Sequence, residues 1–404
     1  MDGLKGYGAA HNSGTLGRML RVLTLDTVSA QALARFPAGH YRVGAAIDTP
    51  DAILLQAATL DPGNSPASLK VVGRIGTGAG QVDVDALSAR GIPLLHAPSA
   101  NANAVKELVL AGMLMAARHL PEALAHVAAE AAEPGFQQRL LAQPLRFQGS
   151  ELAGRTLGVV GLGVVGVQVA NTARLLGMRV LGLDPFVTVE GAWQLSAEVM
   201  RTGSINELYA GSDFVSFHVP LNDATRDLFN AASLAHVRNG VVLVNFARAG
   251  VVSSAAVREG LADGRIGRYV TDFPEPGLTS LDGVVTLPHL GAATREAAAH
   301  SAAMVIDQTR DYLENGNLVN AVNFPGLRMP REGRARLCVA NRNQPNILGH
   351  LTQVLGSAGV NITQMRNASL GAMAYTLIDV DDDVPPALPS AMAAIDGVLS
   401  IRVI

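Results

Sequence analysis

The chain has 404 residues, 49% of them hydrophobic and 16% charged, with a formal net charge of −3. That length predicts about two to four domains, and the composition describes a core-forming globular chain rather than a disordered one. The near-balance of charge gives no overall field for nucleic acid or an anionic membrane, and the single cysteine, Cys338, excludes an intrachain disulfide and a multi-thiolate zinc site.

Residues 1–19, rich in Gly, Asn and Ser, read as a loose tail. Arg18, Arg21 and Asp26 interrupt the only apolar segment near the N-terminus, so no secretory leader is expected. From there short apolar runs alternate with helical patterns. The strands are expected at Arg21–Leu25, Ala52–Leu55, Leu69–Arg74 and Pro93–His96, with helices at Ser29–Phe36 and Val82–Arg90. This alternation predicts βαβ units on a parallel sheet. A long apolar helix is expected at Ala104–His119. Its stretch Leu108–Ala117 ends at Arg118 and is too short to span a bilayer, which points to a soluble, cytoplasmic protein. A second, surface-lying helix is expected over Ala123–Arg139.

A clearer alternating series follows, with strands at Thr156–Val160, Arg179–Leu183, Phe214–Val219, Gly240–Phe246, Tyr269–Asp272 and Val284–Leu287. A helix over Ser301–Asn315 is stopped by Gly316, and residues 324–334, with two prolines and two glycines, read as a linker. The last seventy residues give βαββαβ, a ferredoxin-like third domain. RNA-binding versions of that module need exposed aromatics to stack bases, and Tyr375 is the only aromatic from Ala335 onward, so no nucleic-acid partner is expected.

Gly161-Leu162-Gly163-Val164-Val165-Gly166 fits GxGxxG, a pattern that a glycine-rich chain meets by chance in any tight turn. Its context is specific, because it follows the strand Thr156–Val160, opens a helix and precedes the strand Arg179–Leu183. Gly161 permits the turn, Gly163 lets backbone N–H groups approach a pyrophosphate, and Gly166 lets helix and strand pack closely. Asp184 ends the next strand, where a carboxylate binds ribose hydroxyls and repels a 2′-phosphate. The cofactor read from these residues is NAD rather than NADP.

In an open α/β sheet ligands bind outside the carboxyl ends of the strands. Arg248, Glu275 and His289 follow three consecutive strands of this domain. Histidine suits removal of a hydroxyl proton while hydride leaves the carbon, a carboxylate beside it stabilises the imidazolium, and an arginine can hold a substrate carboxylate. His218, also at a strand end, keeps a structural hydrogen-bonding reading. There is no HExxH, paired-thiolate or GxSxG pattern, so no metal is expected.

With these residues in hand, the chain resembles the D-2-hydroxyacid dehydrogenase family, in the branch that carries a C-terminal ACT regulatory domain. The resemblance runs from about Leu20 to the C-terminus, through Gly73–Gly78, Asn101–Glu107, Gly161–Gly166, Asn245–Arg248, Thr271–Pro274, Pro288–Ala292, Leu313–Asn317 and Val322–Pro325. It implies an α/β fold with two doubly wound parallel-sheet domains plus the ferredoxin-like ACT domain. The discontinuous substrate domain would span 20–103 and 298–328, the Rossmann NAD domain 104–297, a linker 329–334 and the ACT domain 335–404. It implies that Arg248 binds the α-carboxylate, that His289 is the general acid/base and that Glu275 is its nearest candidate partner. Gly78 and Asn101 would contact substrate, and Thr77, Val219, Phe246 and Asp272 would border the dinucleotide, joining Gly161, Gly163, Val164, Val165, Gly166 and Asp184.

The implied reaction is NAD-dependent oxidation of 3-phosphoglycerate in serine synthesis, by a homotetramer or homodimer with L-serine as effector at Asn341, Asn343 and Asn361. Three positions depart from the family pattern. Gln56 stands where an arginine meets the substrate phosphate, Glu275 comes one residue early after Asp272, and Asn341 replaces a histidine of the effector pocket. The first departure keeps a hydroxypyruvate or glyoxylate reductase in view. Fold analogy alone supports a non-catalytic NADH-sensing protein.

Overall fold

The computed structural model describes residues 18–143 and 145–404, so the tail read at 1–19 lies, except for its last two residues, outside the described residues. The chain forms two compact units, one made by the chain up to Ala100 together with Ala298–Ile404, the other by Asn101–Ala297.

The first unit holds a five-stranded parallel sheet of β1 (Leu20–Thr24), β2 (Tyr41–Gly44), β3 (Ala52–Leu55), β4 (Val71–Arg74) and β5 (Leu94–Leu95), in the order β2-β1-β3-β4-β5. Every residue of β3 is buried, the continuous apolar pattern of a strand covered on both faces. The edge strand β2 was not expected from the sequence. It is four residues long, contains Arg42 and Gly44, and takes its register from β1 through Leu20 opposite Tyr41. The helix expected at Ser29–Phe36 is a single turn, Ala30–Leu33, whose cap is the Ser29 side chain accepting from the Ala32 N–H. The long helix Arg295–Asn315 begins six residues before the expected Ser301. Thr294 accepts from the Ala297 N–H there, and polar first-turn residues hide the start from an apolar-period reading.

The second unit is a seven-stranded parallel sheet of β6 (Thr156–Val160), β7 (Arg179–Leu183), β8 (Met200–Arg201), β9 (Phe214–Phe217), β10 (Val241–Asn245), β11 (Ile266–Thr271) and β12 (Val284–Thr286). Its order is β12-β11-β10-β9-β6-β7-β8, with the reversal of direction between β6 and β9 where doubly wound sheets bind dinucleotides. The two-residue edge strand β8 was also missed. The helix Ala102–Arg118 lays Val105, Val109 and Met113 into the core of this unit. The single helix expected at Ala123–Arg139 is two, Leu120–Glu130 and Phe136–Leu141, broken where Pro134 precedes Gly135 at φ 74°. Among the described residues no single helix is long and apolar enough to cross a membrane.

The third sheet, in the first unit, is antiparallel: β13 (Ala335–Arg342), β14 (Ile362–Leu370), β15 (Met373–Val380) and β16 (Val398–Val403), in the order β14-β15-β13-β16. With the helices Ile347–Ser357 and Leu388–Ala393 it completes the expected ferredoxin-like βαββαβ. Leu337, Val339, Ile378 and Val380 face those helices, while Cys338, Ala340, Tyr375 and Leu377 join the core under the first sheet. Residues read as a linker are pinned here. Arg336, fully buried, donates to the carbonyls of Met329 (2.9 Å), Pro330 (2.7 Å) and Asn315 (2.9 Å) and to both Asp379 oxygens (2.6 and 2.8 Å).

Candidate active site

The glycine turn follows β6, which is buried along its whole length. Gly161 has φ 91°, and a Cβ on it would lie 2.6 Å from the His218 carbonyl oxygen. A Cβ on Gly166 would lie 1.9 Å from the Gly161 carbonyl oxygen, so neither position admits a side chain. A Cβ on Gly163 would meet nothing within 4 Å. The helix Val164–Leu175 starts there with no side-chain cap, leaving the first-turn N–H groups, those of Val164 and Val165 included, for an anion.

Asp184, after β7, accepts from the Leu162 N–H with one oxygen and from the Phe186 N–H with the other, each at 2.8 Å. It thereby ties the glycine turn to the neighbouring strand, and its remaining lone pairs can take ribose hydroxyls. Val219 is half-buried against the turn, its Cγ1 2.9 Å from where a Gly161 Cβ would stand. Phe246 is buried, with its ring against Gly112 of the helix Ala102–Arg118, so only its main chain can border a ligand. His218 bonds Ser216 Oγ at 2.9 Å, and burial pushes its pKa down to about 4, which keeps the ring neutral. These groups fit a dinucleotide: an open approach at Gly163, unused N–H donors and a carboxylate at the second strand end.

Arg248, Glu275 and His289 follow β10, β11 and β12, neighbours in the sheet, at their carboxyl ends. Arg248 is exposed; its main chain is folded by the buried Asn245, whose Nδ2 donates to the Arg248 carbonyl and whose Oδ1 accepts from the Ala247 N–H. Glu275 accepts from the Ser254 hydroxyl. His289 is exposed, at φ 58°, with its ring edge-on to Phe273 at 5.3 Å between centroids. Among the described residues no hydrogen bond joins it to Glu275. Asp272 is buried, and its two oxygens accept from the N–H groups of Leu290 and Gly291, both at 2.7 Å. It therefore holds the histidine's loop by the main chain. Nothing in the sequence pointed to that anchoring or to Ser254.

Asn101 begins the helix Ala102–Arg118 without a side-chain capping bond. In the first unit, Thr77 Oγ1 donates to the Ala97 carbonyl and the Gly78 N–H donates to His96 Nδ1 at 3.1 Å. The three asparagines expected at an effector site do not meet within one chain. Asn341 is buried and lies opposite Ala374, and Asn343 donates to the Gly371 carbonyl. Asn361 precedes Ile362, whose partner Val380 pairs with Ala335, at the other end of β13. At about 3.4 Å per residue the two ends are roughly 20 Å apart.

Residues 110–291 match the family model of the D-isomer specific 2-hydroxyacid dehydrogenase NAD binding domain. Over 348 residues the chain is 33% identical to the D-3-phosphoglycerate dehydrogenase of Haemophilus influenzae, a match covering 83% of this chain and 81% of that one. It is 32% identical over 359 residues to the Escherichia coli K12 protein of the same name, covering 86% and 84%. Among solved structures, the D-mandelate dehydrogenase of Rhodotorula graminis shares the fold, with a TM-score of 0.63 and 24% identity over 78% of this chain and 100% of that one. With the dinucleotide turn in place, the chain belongs to the D-isomer specific 2-hydroxyacid dehydrogenases, as an NAD-dependent oxidoreductase of small 2-hydroxy acids.

Proposed function

We propose that the protein oxidises 3-phosphoglycerate to 3-phosphohydroxypyruvate, the entry to serine synthesis, in the cytoplasm. The observation that carries this reading is the likeness to proteins named for that reaction over more than four-fifths of their length, 81% and 84%. In this reading residues 20–103 and 298–328 hold the substrate, 104–297 hold NAD and 335–404 regulate.

Bound NAD would supply the hydride acceptor. The glycine turn and the N–H groups of Val164 and Val165 hold its pyrophosphate, Asp184 holds the adenosine ribose, and Thr77, Val219, Phe246 and Asp272 border it. The Arg248 guanidinium holds the substrate carboxylate, and Gly78 and Asn101 bind around it. His289 takes the hydroxyl proton at its imidazole nitrogen. Glu275, in the loop after the neighbouring strand, favours the imidazolium through its charge. The test is NADH oxidation by the purified protein with 3-phosphohydroxypyruvate and hydroxypyruvate at equal concentrations. A clear preference for the phosphorylated acid is expected. The reverse preference moves the protein to the second reading, a hydroxypyruvate or glyoxylate reductase, which the neutral Gln56 favours.

Two further proposals concern assembly. A homodimer or homotetramer is supported by the helix Leu120–Glu130, which buries none of its residues and exposes Leu120, Leu124 and Val127. Light scattering that gives a monomer mass ends that proposal. L-Serine, bound between two copies of the third sheet so that Asn341 and Asn343 of one face Asn361 of the other, is supported by their separation within one chain. Calorimetry without serine uptake disposes of it.

A further inference from the structure

We propose that Arg74 binds the distal anionic group of the substrate. The inference rests on the reading above, that the substrate carries a phosphate. Arg74 is the last residue of β4, at the carboxyl edge where open α/β sheets take ligands. Leu55 pairs with Arg74 and Gly73 with Leu95, so Arg74 stands between the Gln56 loop and His96.

Among the described residues no carboxylate pairs with this guanidinium. Its Nη1 donates to the carbonyls of Thr77 and Gly78, and its Nε is buried without a partner. Burial lowers its pKa, the mark of a partly desolvated cation without a counter-ion. The loop makes room for it, because a Cβ on Gly80 would lie 2.3 Å from the Arg74 Nε. Arg90 also bonds only carbonyls, but through both Nη atoms and away from this edge, at the end of the helix Val84–Ala89.

The other groups here supply no second positive charge for the anion. The N–H groups of Gln56, Ala57 and Ala58 all donate to one Asp26 oxygen, at 2.6, 3.1 and 3.1 Å, so that nest already holds a negative charge. Burial and then the Arg74 charge push the His96 pKa down, and its Nδ1 is occupied by the Gly78 N–H. It remains as a neutral Nε2–H donor beside the arginine.

The experiment is steady-state kinetics of the wild type, R74Q and R74K with 3-phosphohydroxypyruvate and hydroxypyruvate. NADH binding is followed in parallel by energy transfer from Trp193, the one tryptophan. R74Q should raise KM for the phosphorylated acid about 10- to 100-fold, the loss of a charge-assisted hydrogen bond, and leave hydroxypyruvate turnover and NADH binding nearly unchanged. R74K, a point charge without the fork, should fall between. Equal losses on both acids would make Arg74 a loop staple, and no loss on either would leave it without a role; both overturn the proposal. A wild type that prefers hydroxypyruvate sinks the substrate reading itself, whereas a preference retained in R74Q sinks Arg74 alone. If R74Q does not fold, R74K with inorganic phosphate as competitor decides: undiminished phosphate inhibition counts against Arg74, weakened inhibition for it.

Discussion

The proposed mechanism asks His289 to move a proton, which needs a fixed backbone, and His289 sits at φ 58°, a conformation that costs of order 1–3 kcal/mol unless its surroundings impose it. Asp272 imposes it through the two N–H groups that follow the histidine. Asp272→Asn keeps one acceptor oxygen and turns an NH2 group toward an N–H, donor against donor. We expect a stability loss of about 1–3 kcal/mol and, since an ångström of misplacement can cost about 100-fold, a kcat lower by that order. A variant with unchanged kcat would show that the loop holds itself. The strand-end rule picked Arg248, Glu275 and His289 out of the chain, and all three follow adjacent strands of the sheet. It could not say which way each carboxylate turns. Asp272 and Glu275 are three residues apart on one loop, yet one bonds main chain and the other the Ser254 hydroxyl, a choice made by loop closure.

Elements were legible where burial and punctuation agreed. β3, β6 and β7 match their expected bounds, and each apolar run has a glycine or a charge at one border at least: Asp51 before β3, Arg155 and Gly161 around β6, Asp184 after β7. The edge strands β2 and β8 were not legible, since two to four mixed residues carry no period and borrow their register from a neighbour. Composition misled most at 324–334, where Pro and Gly suggested a free linker but a buried arginine further along holds the carbonyls. Arg336→Met leaves Asp379 buried and uncompensated, and should cost about 3–5 kcal/mol in urea unfolding. Adding Asp379→Leu should recover most of that. Burial raises the Asp379 pKa, but the bonds from Arg336 and the Glu332 N–H outweigh it, so the net shift is downward. A depressed carboxylate gives stability above its unfolded pKa, about 3.9, that is lost as pH falls through the folded value. The stability curves of the wild type and the double variant should therefore converge below about pH 4. Curves that stay parallel there would remove this pair from the acid response.

At the scale of the whole chain, the third sheet is no appendage. One of its faces, through Cys338, Ala340, Tyr375 and Leu377, shares a core with Val22, Leu54, Leu313 and Phe324 of the first sheet and its helix. Polar contacts lie over that core: the Tyr375 hydroxyl donates to the Gly316 carbonyl at 2.8 Å, Arg402 stacks over Tyr312 at 3.9 Å, and Ser400 bonds the Gly91 carbonyl at 3.0 Å. An effector bound to this sheet would thus act on a packed interface, and any coupling must come from different affinities for two arrangements of it. The same packing separates two views of residues 335–404. If they were a tethered regulator, a chain ending at Arg334 would unfold at the same temperature and keep its turnover, with only regulation lost. The continuous core predicts the opposite. Truncation exposes Tyr312, Leu313 and Leu318 together, each worth about 1.5–3 kcal/mol when buried. It also removes the donors that satisfy the Asn315 and Gly316 carbonyls at the end of the long helix. The shortened chain should melt well below the full chain or aggregate, in calorimetry at matched concentration, before any question of regulation arises. An unchanged melting temperature with undiminished turnover would mean that the shared core contributes nothing and that the third sheet rides free.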